Sequence, residues 1–158
     1  MINIGVTGHQ GIPHSALPFI RAEVTRSLLL HHDAITCISS LATGADQLVA
    51  DLCLKNDGAL HVIVPCQGYL HTFKEPVSAN KYKKLKRQAS VIENLEFDSP
   101  SEEAFLEAGK RMVILSDKII AIWDGKKAKG KGGTADIVHY AILKGKQVEV
   151  IWPQGVNR

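Results

Sequence analysis

Six apolar runs separated by segments of helical period constrain this chain more than any other feature. The runs cover residues 2–7, 34–39, 60–65, 91–97, 118–123 and 147–152, and most are continuously apolar rather than alternating. Strands buried on both faces have that character. A strand that returns through a helix must lie parallel to the one before it, because the crossover carries the chain back to the edge it left. The pattern therefore predicts an α/β fold: a single doubly wound parallel sheet, Rossmann-like, of about six strands with helices on both faces.

The intervening segments carry their own boundaries. Leu17, Ile20, Val24 and Leu28 recur at helical spacing, with Ser15 placed to cap and Pro18 in the first turn, which predicts a helix over about 15–31. Ala45, Leu48, Val49 and Leu52 form the next stripe, which Asn56-Asp57-Gly58 ends. Ser99 and Glu102 read as a capping box with Pro100 at the first helical position, followed by Ala104, Phe105, Ala108 and Met112. Residues 67–89 read as the mobile part, a loop leading into a basic helix over 82–89, since Gly68, Pro76 and Ser78-Ala79-Asn80 interrupt the pattern. With 158 residues, no repeat and no linker, the chain reads as one domain over 1–158.

Composition sets several classes aside. No apolar run approaches the roughly 20 residues that span a bilayer, and the N-terminus lacks a signal-peptide pattern, so a soluble cytoplasmic protein is expected, with no membrane partner. Cys37, Cys53 and Cys66 are odd in number, widely spaced and set among apolar neighbours, which predicts reduced core thiols. The histidines form no ligand pattern, so neither a metal nor a cofactor is expected. The net charge of +3 argues little by itself. The clustering says more: Lys81, Lys83, Lys84, Lys86 and Arg87 crowd one segment, and Lys126, Lys127, Lys129 and Lys131 another.

In an open parallel sheet, ligands bind beyond the carboxyl ends of the strands. Three loops there carry glycine beside polar residues: Thr7-Gly8-His9-Gln10-Gly11, Leu41-Ala42-Thr43-Gly44-Ala45-Asp46 and Gly130-Lys131-Gly132-Gly133-Thr134-Ala135-Asp136. The helix expected to begin near Thr134 aims unpaired amides and its positive end at one spot, where a phosphate fits against Lys131, Gly132, Gly133 and Thr134. His9 is a candidate for a phosphate or purine edge, or a loop anchor. Trp123 either stacks on a base or roofs the core. Asp46, Asp124 and Asp136 are the carboxylates available to a ribose, or to a glycosidase; each also has a plain role at a helix start or turn. The two common phosphate signatures, G-x-x-x-x-G-K-[ST] and G-x-G-x-x-G, are absent.

Thr7-Gly8-His9, Ser40-Leu41-Ala42-Thr43-Gly44-Ala45-Asp46, Ile120-Ala121-Ile122-Trp123-Asp124-Gly125 and the loop over 130–136 together resemble the SLOG superfamily, which takes in the Smf/DprA proteins and the Lonely Guy phosphoribohydrolases. The resemblance runs over nearly the whole chain, and is strongest to the small stand-alone branch with a Gly-Ala-Asp turn. It implies a nucleotide or ADP-ribose-like ligand held by Thr7, Gly8, His9, Gly44, Ala45, Asp46, Asp124, Lys131, Gly132, Gly133, Thr134 and Asp136. For a Lonely Guy-type hydrolase it implies Asp136 and Arg111 as catalytic residues. The loop here lacks that family's proline and one glycine, carries Asp for Glu, and sets Arg111 nearer the following strand.

The function expected first is therefore a ligand-binding module or sensor for a nucleotide-type small molecule, forming a homo-oligomer. Hydrolysis of a nucleoside monophosphate at its N-glycosidic bond is the alternative, and single-strand nucleic-acid binding the third. Nucleic acid is not expected as a partner, because no aromatic-studded groove is legible.

Overall fold

The alternating signals fold into six strands and five α-helices among the described residues, 1–127 and 133–158, of the computed structural model. In chain order these are β1 (Ile2–Gly8), α1 (Leu17–Leu29), β2 (Ile35–Ser39), α2 (Ala45–Lys55), β3 (Ala59–Val64), α3 (Pro76–Arg87), β4 (Val91–Asn94), α4 (Glu102–Leu115), β5 (Lys118–Ile122), α5 (Thr134–Leu143) and β6 (Gln147–Ile151). The strands pair in the order β4-β3-β2-β1-β5-β6, and every pair is parallel. Among the described residues no helix is long and apolar enough to cross a membrane.

Two apolar layers sandwich the sheet. Ile4, Val6, Cys37, Leu60 and Val62 face Ile20, Val24, Leu28, Val49 and Leu85 of α1, α2 and α3. Ile38, Ile63 and Ile119 face Ala108, Met112 and Val113 of α4 and Ile137 and Ala141 of α5. Because β1 pairs with both β2 and β5, the chain leaves β1 toward one face and β5 toward the other. That divergence opens a crevice at the carboxyl edge. All three cysteines are buried and unpaired.

Several boundaries differ from the sequence reading. Ser15 does not cap α1; it sits in a 3₁₀ turn over His14–Ala16, and the helix begins after it at Leu17 and stops at Leu29. The cap of α4 is Ser101, not Ser99: its hydroxyl accepts the Ala104 N–H at 3.0 Å, and its extended backbone is the one a cap requires. Pro100 therefore precedes the helix. In the segment 67–89, a 3₁₀ turn over Tyr69–Thr72 precedes an α3 that starts at Pro76 rather than at 82. Pro76 starts this helix instead of breaking it, since its fixed φ and missing N–H suit the first turn. β4 ends at Asn94, short of the expected 97.

Below the sheet's carboxyl edge, a partly buried ionic cluster ties α1 to β5 and β6. Lys118 Nζ lies 2.8 Å from Glu149 Oε1 and donates to Ser27 Oγ at 2.9 Å, while Arg26 meets the same carboxylate at 3.1 Å. The cluster fixes the outer strands without approaching the crevice.

Gly44 is the most constrained backbone position. It has φ 89°, and a Cβ there would lie 2.4 Å from the Gln10 carbonyl oxygen and 2.5 Å from that of His9. Gly125 has a similar φ of 84° but open space around it. Gly44→Ala should lower stability by at least about 2 kcal/mol, and Gly125→Ala by about 1 kcal/mol. Urea midpoints of the two variants measure the difference, and equal losses would mean that the loop contact carries no energy.

Candidate functional site

The first two glycine loops and the described end of the third, from Gly133 onward, meet at the carboxyl edge around one open cavity of about 620 Å³. Its walls include Thr7, Gly8 and His9 after β1, Ser40, Ala42, Thr43 and Asp46 around the start of α2, and Gly133 and Thr134 at the start of α5. The sheet register explains the convergence. Gly8 pairs with Ile122, so β1 and β5 end side by side, and the His9 N–H donates to the Ile122 carbonyl at 3.0 Å.

The predicted site residues separate into groups. Thr7, Gly8, His9, Asp46, Gly133 and Thr134 line the cavity. Gly44 and Ala45 lie behind it: the Ala45 N–H donates to the His9 carbonyl at 3.0 Å, which joins the first two loops. Gly133 has an ordinary extended conformation, φ −72°, so its backbone angle does not demand glycine. Asp124 also stands behind the wall, 3.0 Å from His9 Nε2 through Oδ1. Lys131 and Gly132 lie outside the described residues.

Two predicted residues are elsewhere. Asp136 is exposed on the first turn of α5 and does not line the cavity, so it opposes the helix dipole, as its plain reading has it. Arg111 is committed to Glu93 of β4, with Nε 3.0 Å from Oε1 and a terminal nitrogen 2.8 Å from the same oxygen. Arg111 does not line the cavity, although its α4 neighbours Gly109 and Met112 do; its guanidinium is bound instead by Glu93 on the edge strand. Trp123 neither stacks in the cavity nor fills the core; its indole N–H donates to the Lys126 carbonyl at 2.8 Å and pins that turn.

Asp46 is the only carboxyl among the described lining residues. Its Oδ2 accepts the Ala42 N–H at 3.2 Å. Burial pushes this carboxyl up to about 7, against the donors of Ala42, Ser39 and Ser40, which favour the charged form.

The remaining wall comes from the segment read as a mobile loop. Tyr69 and Phe73 from the 3₁₀ turn region and Phe105 from α4 line the cavity, with Tyr82 packed behind them. Ring centroids lie 5.3 Å apart for Tyr69 and Phe73 and 4.9 Å for Phe73 and Tyr82. Burial, followed by the nearby Asp46 charge, holds the Tyr69 hydroxyl well above its ordinary range. Lys74, Lys126 and Arg158 also line the cavity and give it a cationic rim. Sequence reasoning missed Tyr69, Phe73, Lys74 and Arg158 and read Phe105 only as core.

No protein-family model matches the chain, and no curated protein matches it. Solved structures do. The fold matches DNA processing protein A from Helicobacter pylori, described for its unique single-stranded DNA binding mode, with TM-score 0.70 and 21% identity over 99% of this chain and 67% of that one. DNA processing protein A (DprA) from Streptococcus pneumoniae matches with TM-score 0.62 and 14% identity over 94% of this chain. This chain spans 50% of the length of that pneumococcal protein. The structural-genomics target TM1055 matches with TM-score 0.58 and 21% identity, covering 94% and 72% of the two chains. At these identities the likeness establishes the fold, the doubly wound, Rossmann-like parallel sheet that the sequence predicts.

The Asp46 carboxyl generates a pH test. Its ordinary value is 3.8 and its folded value about 7, so the folded state holds the proton more tightly. Its contribution is full below about 4 and is lost as pH rises to about 7. Asp46→Asn should therefore gain stability relative to wild type across that window, with a constant difference above it. Chemical denaturation at several pH values checks this, and a difference independent of pH would remove the elevated acid.

Proposed function

We propose that the chain binds a nucleotide or nucleotide-derived ligand in the cavity at the carboxyl edge and acts as a ligand-binding module. One observation carries the reading: the cavity sets an aromatic wall, Tyr69, Phe73 and Phe105, against a cationic rim and the start of a helix. A base is flat and apolar on its faces, and stacks on such rings. A phosphate suits unpaired amides and lysine or arginine. A volume of about 620 Å³ falls in the range of roughly 300–1,000 Å³ typical of small-molecule sites. Self-association belongs to the same proposal, supported by the exposed Ile142 and Leu143 at the end of α5 and Val150 on the edge strand β6.

The N-glycosidase alternative draws no support from Asp136 or Arg111 where they now stand, and the carboxyl that remains, Asp46, is engaged by donors of its own loop. Single-strand nucleic-acid binding has specific support. The sequence reading set it aside for want of an aromatic groove, and the wall formed by Tyr69, Phe73 and Phe105 removes that ground. On α3, Lys81, Lys83, Lys84, Lys86 and Arg87 form no ion pair among the described residues, and the Helicobacter pylori protein of the same fold is described as binding single-stranded DNA.

Calorimetric titration with nucleoside monophosphates, ADP-ribose and a short oligothymidylate separates the readings. Mononucleotides should bind, and Phe73→Ala should weaken them about tenfold, the scale of one lost stacking contact. Binding of the oligonucleotide alone, falling steeply with salt, would replace the first reading with the second.

A further inference from the structure

Asp124 follows β5, and its carboxylate is shared among three partners. Oδ1 lies 3.0 Å from His9 Nε2 and accepts the Lys126 backbone N–H at 3.0 Å, while Oδ2 lies 3.3 Å from Arg158 Nε. The same Nε2 lies 3.1 Å from the Asp124 backbone nitrogen, and the ring packs edge-on against Trp152, with centroids 5.4 Å apart. Burial lowers the His9 pKa, with the Arg158 charge acting the same way, so the imidazole is neutral at neutral pH. Burial raises the Asp124 carboxyl, but the donors of Lys126, His9 and Arg158 outweigh it and hold the group below its ordinary value. The result is a fixed carboxylate just behind the cavity wall, facing a guanidinium that lines the cavity.

Arg158 has donors to spare. A guanidinium carries five N–H groups, and the described hydrogen bond uses the one on Nε. Its side chain is 39% exposed, against 5% for Asp124. Two further groups point to a polar ligand in the same space. Thr7 and Thr134 are 9% and 8% exposed and both line the cavity, yet neither hydroxyl makes a hydrogen bond among the described residues. Each hydroxyl is therefore available to a polar group in the cavity.

We propose that Arg158, positioned by Asp124 and His9, selects a phosphate monoester, taking the oxygens of a terminal dianionic phosphate together with Lys126 and the Thr134 hydroxyl. This rests on the nucleotide reading above and adds the form of the ligand: a free terminal phosphate rather than a neutral nucleoside or an internal phosphodiester. A guanidinium held by a carboxylate is already oriented, so little rotamer freedom remains to be lost on binding. Asp124 also supplies the rejection of wrong states, since without Arg158 its charge repels any anion in the cavity.

The test is calorimetric titration of wild type, Arg158→Ala and Arg158→Lys with the four ribonucleoside monophosphates, the matching nucleosides and a dinucleotide with no terminal phosphate. Wild type should bind its preferred monophosphate at least about tenfold more tightly than either the nucleoside or the dinucleotide. Arg158→Ala should remove most of that preference while leaving nucleoside affinity within about twofold, and Arg158→Lys should restore part of it. Arg158 is exposed, so these variants keep the fold, which circular dichroism verifies. Equal binding of nucleoside and monophosphate by wild type overturns the inference but leaves the nucleotide reading standing. So does an Arg158→Ala variant that loses both alike. Binding of none of these compounds overturns both.

Discussion

The backbones of the first two loops touch, and the arrangement of the crevice depends on that contact. The Ala45 N–H donates to the His9 carbonyl, and Gly44 presses against the carbonyls of His9 and Gln10. On the other side, a Cβ at Gly8 would lie 2.5 Å from the Ala45 Cβ and 2.6 Å from the Ile122 carbonyl oxygen. Three adjacent strands, β2, β1 and β5, thus end in loops packed backbone to backbone. Only residues without side chains permit this approach. Gly8 and Gly44 thus serve assembly of the cavity wall.

A second layer of polar contacts keeps the β2 loop in a costly shape. Leu41 has φ 57° with its side chain fully buried, a left-handed conformation that costs about 1–2 kcal/mol for such a residue. Both of its backbone groups are satisfied: its N–H donates to Ser39 Oγ at 2.9 Å, and its carbonyl accepts Gln47 Nε2 at 3.2 Å. Gln47 also donates to the Ser78 carbonyl at 2.9 Å, and the Ser78 and Thr43 hydroxyls lie 2.6 Å apart. Each bond contributes on the order of 1 kcal/mol, enough together to offset the strain. The same network ties α3 to the cavity wall, so the cationic helix is oriented by the loop it adjoins.

The sheet, the strand positions and the three converging loops were legible because they follow from local periodicity and the parallel crossover rule. The helix starts were less so. Proline and serine each have several roles near a helix, and neighbouring candidates such as Ser99 and Ser101, or Pro76 as breaker or starter, differ only in backbone angles that the sequence does not display. Among site residues, proximity along the chain misled. Asp136 lies two residues from Thr134, which places it on the far side of a helical turn, whereas Thr134 and Ile137 face inward. The aromatic wall joins residues 69, 73 and 105, and the anion hook joins 9, 124 and 158. These are tertiary coincidences that no spacing rule predicts.

The acids show how scaffold and recognition divide. Three donors, from Ala42, Ser39 and Ser40, converge on the Asp46 carboxyl. A carboxyl has lone pairs for all of them, whereas an amide of the same shape would turn N–H groups toward some. Asp124 likewise faces the Lys126 N–H, His9 and Arg158. Aspartate in both turns is therefore explained by the backbone and side-chain donors each must receive, before any ligand is considered. What remains for a ligand is what the scaffold leaves unspent: the half-buried rings of Phe73 and Phe105, the outer nitrogens of Arg158, Lys74 and Lys126, and the hydroxyls of Thr7 and Thr134. Stacking faces and cationic donors favour binding, while a hydrolase would need a carboxyl free to hold a water or steady a developing positive charge. The division of labour within the cavity therefore supports the binding module proposed above over bond cleavage.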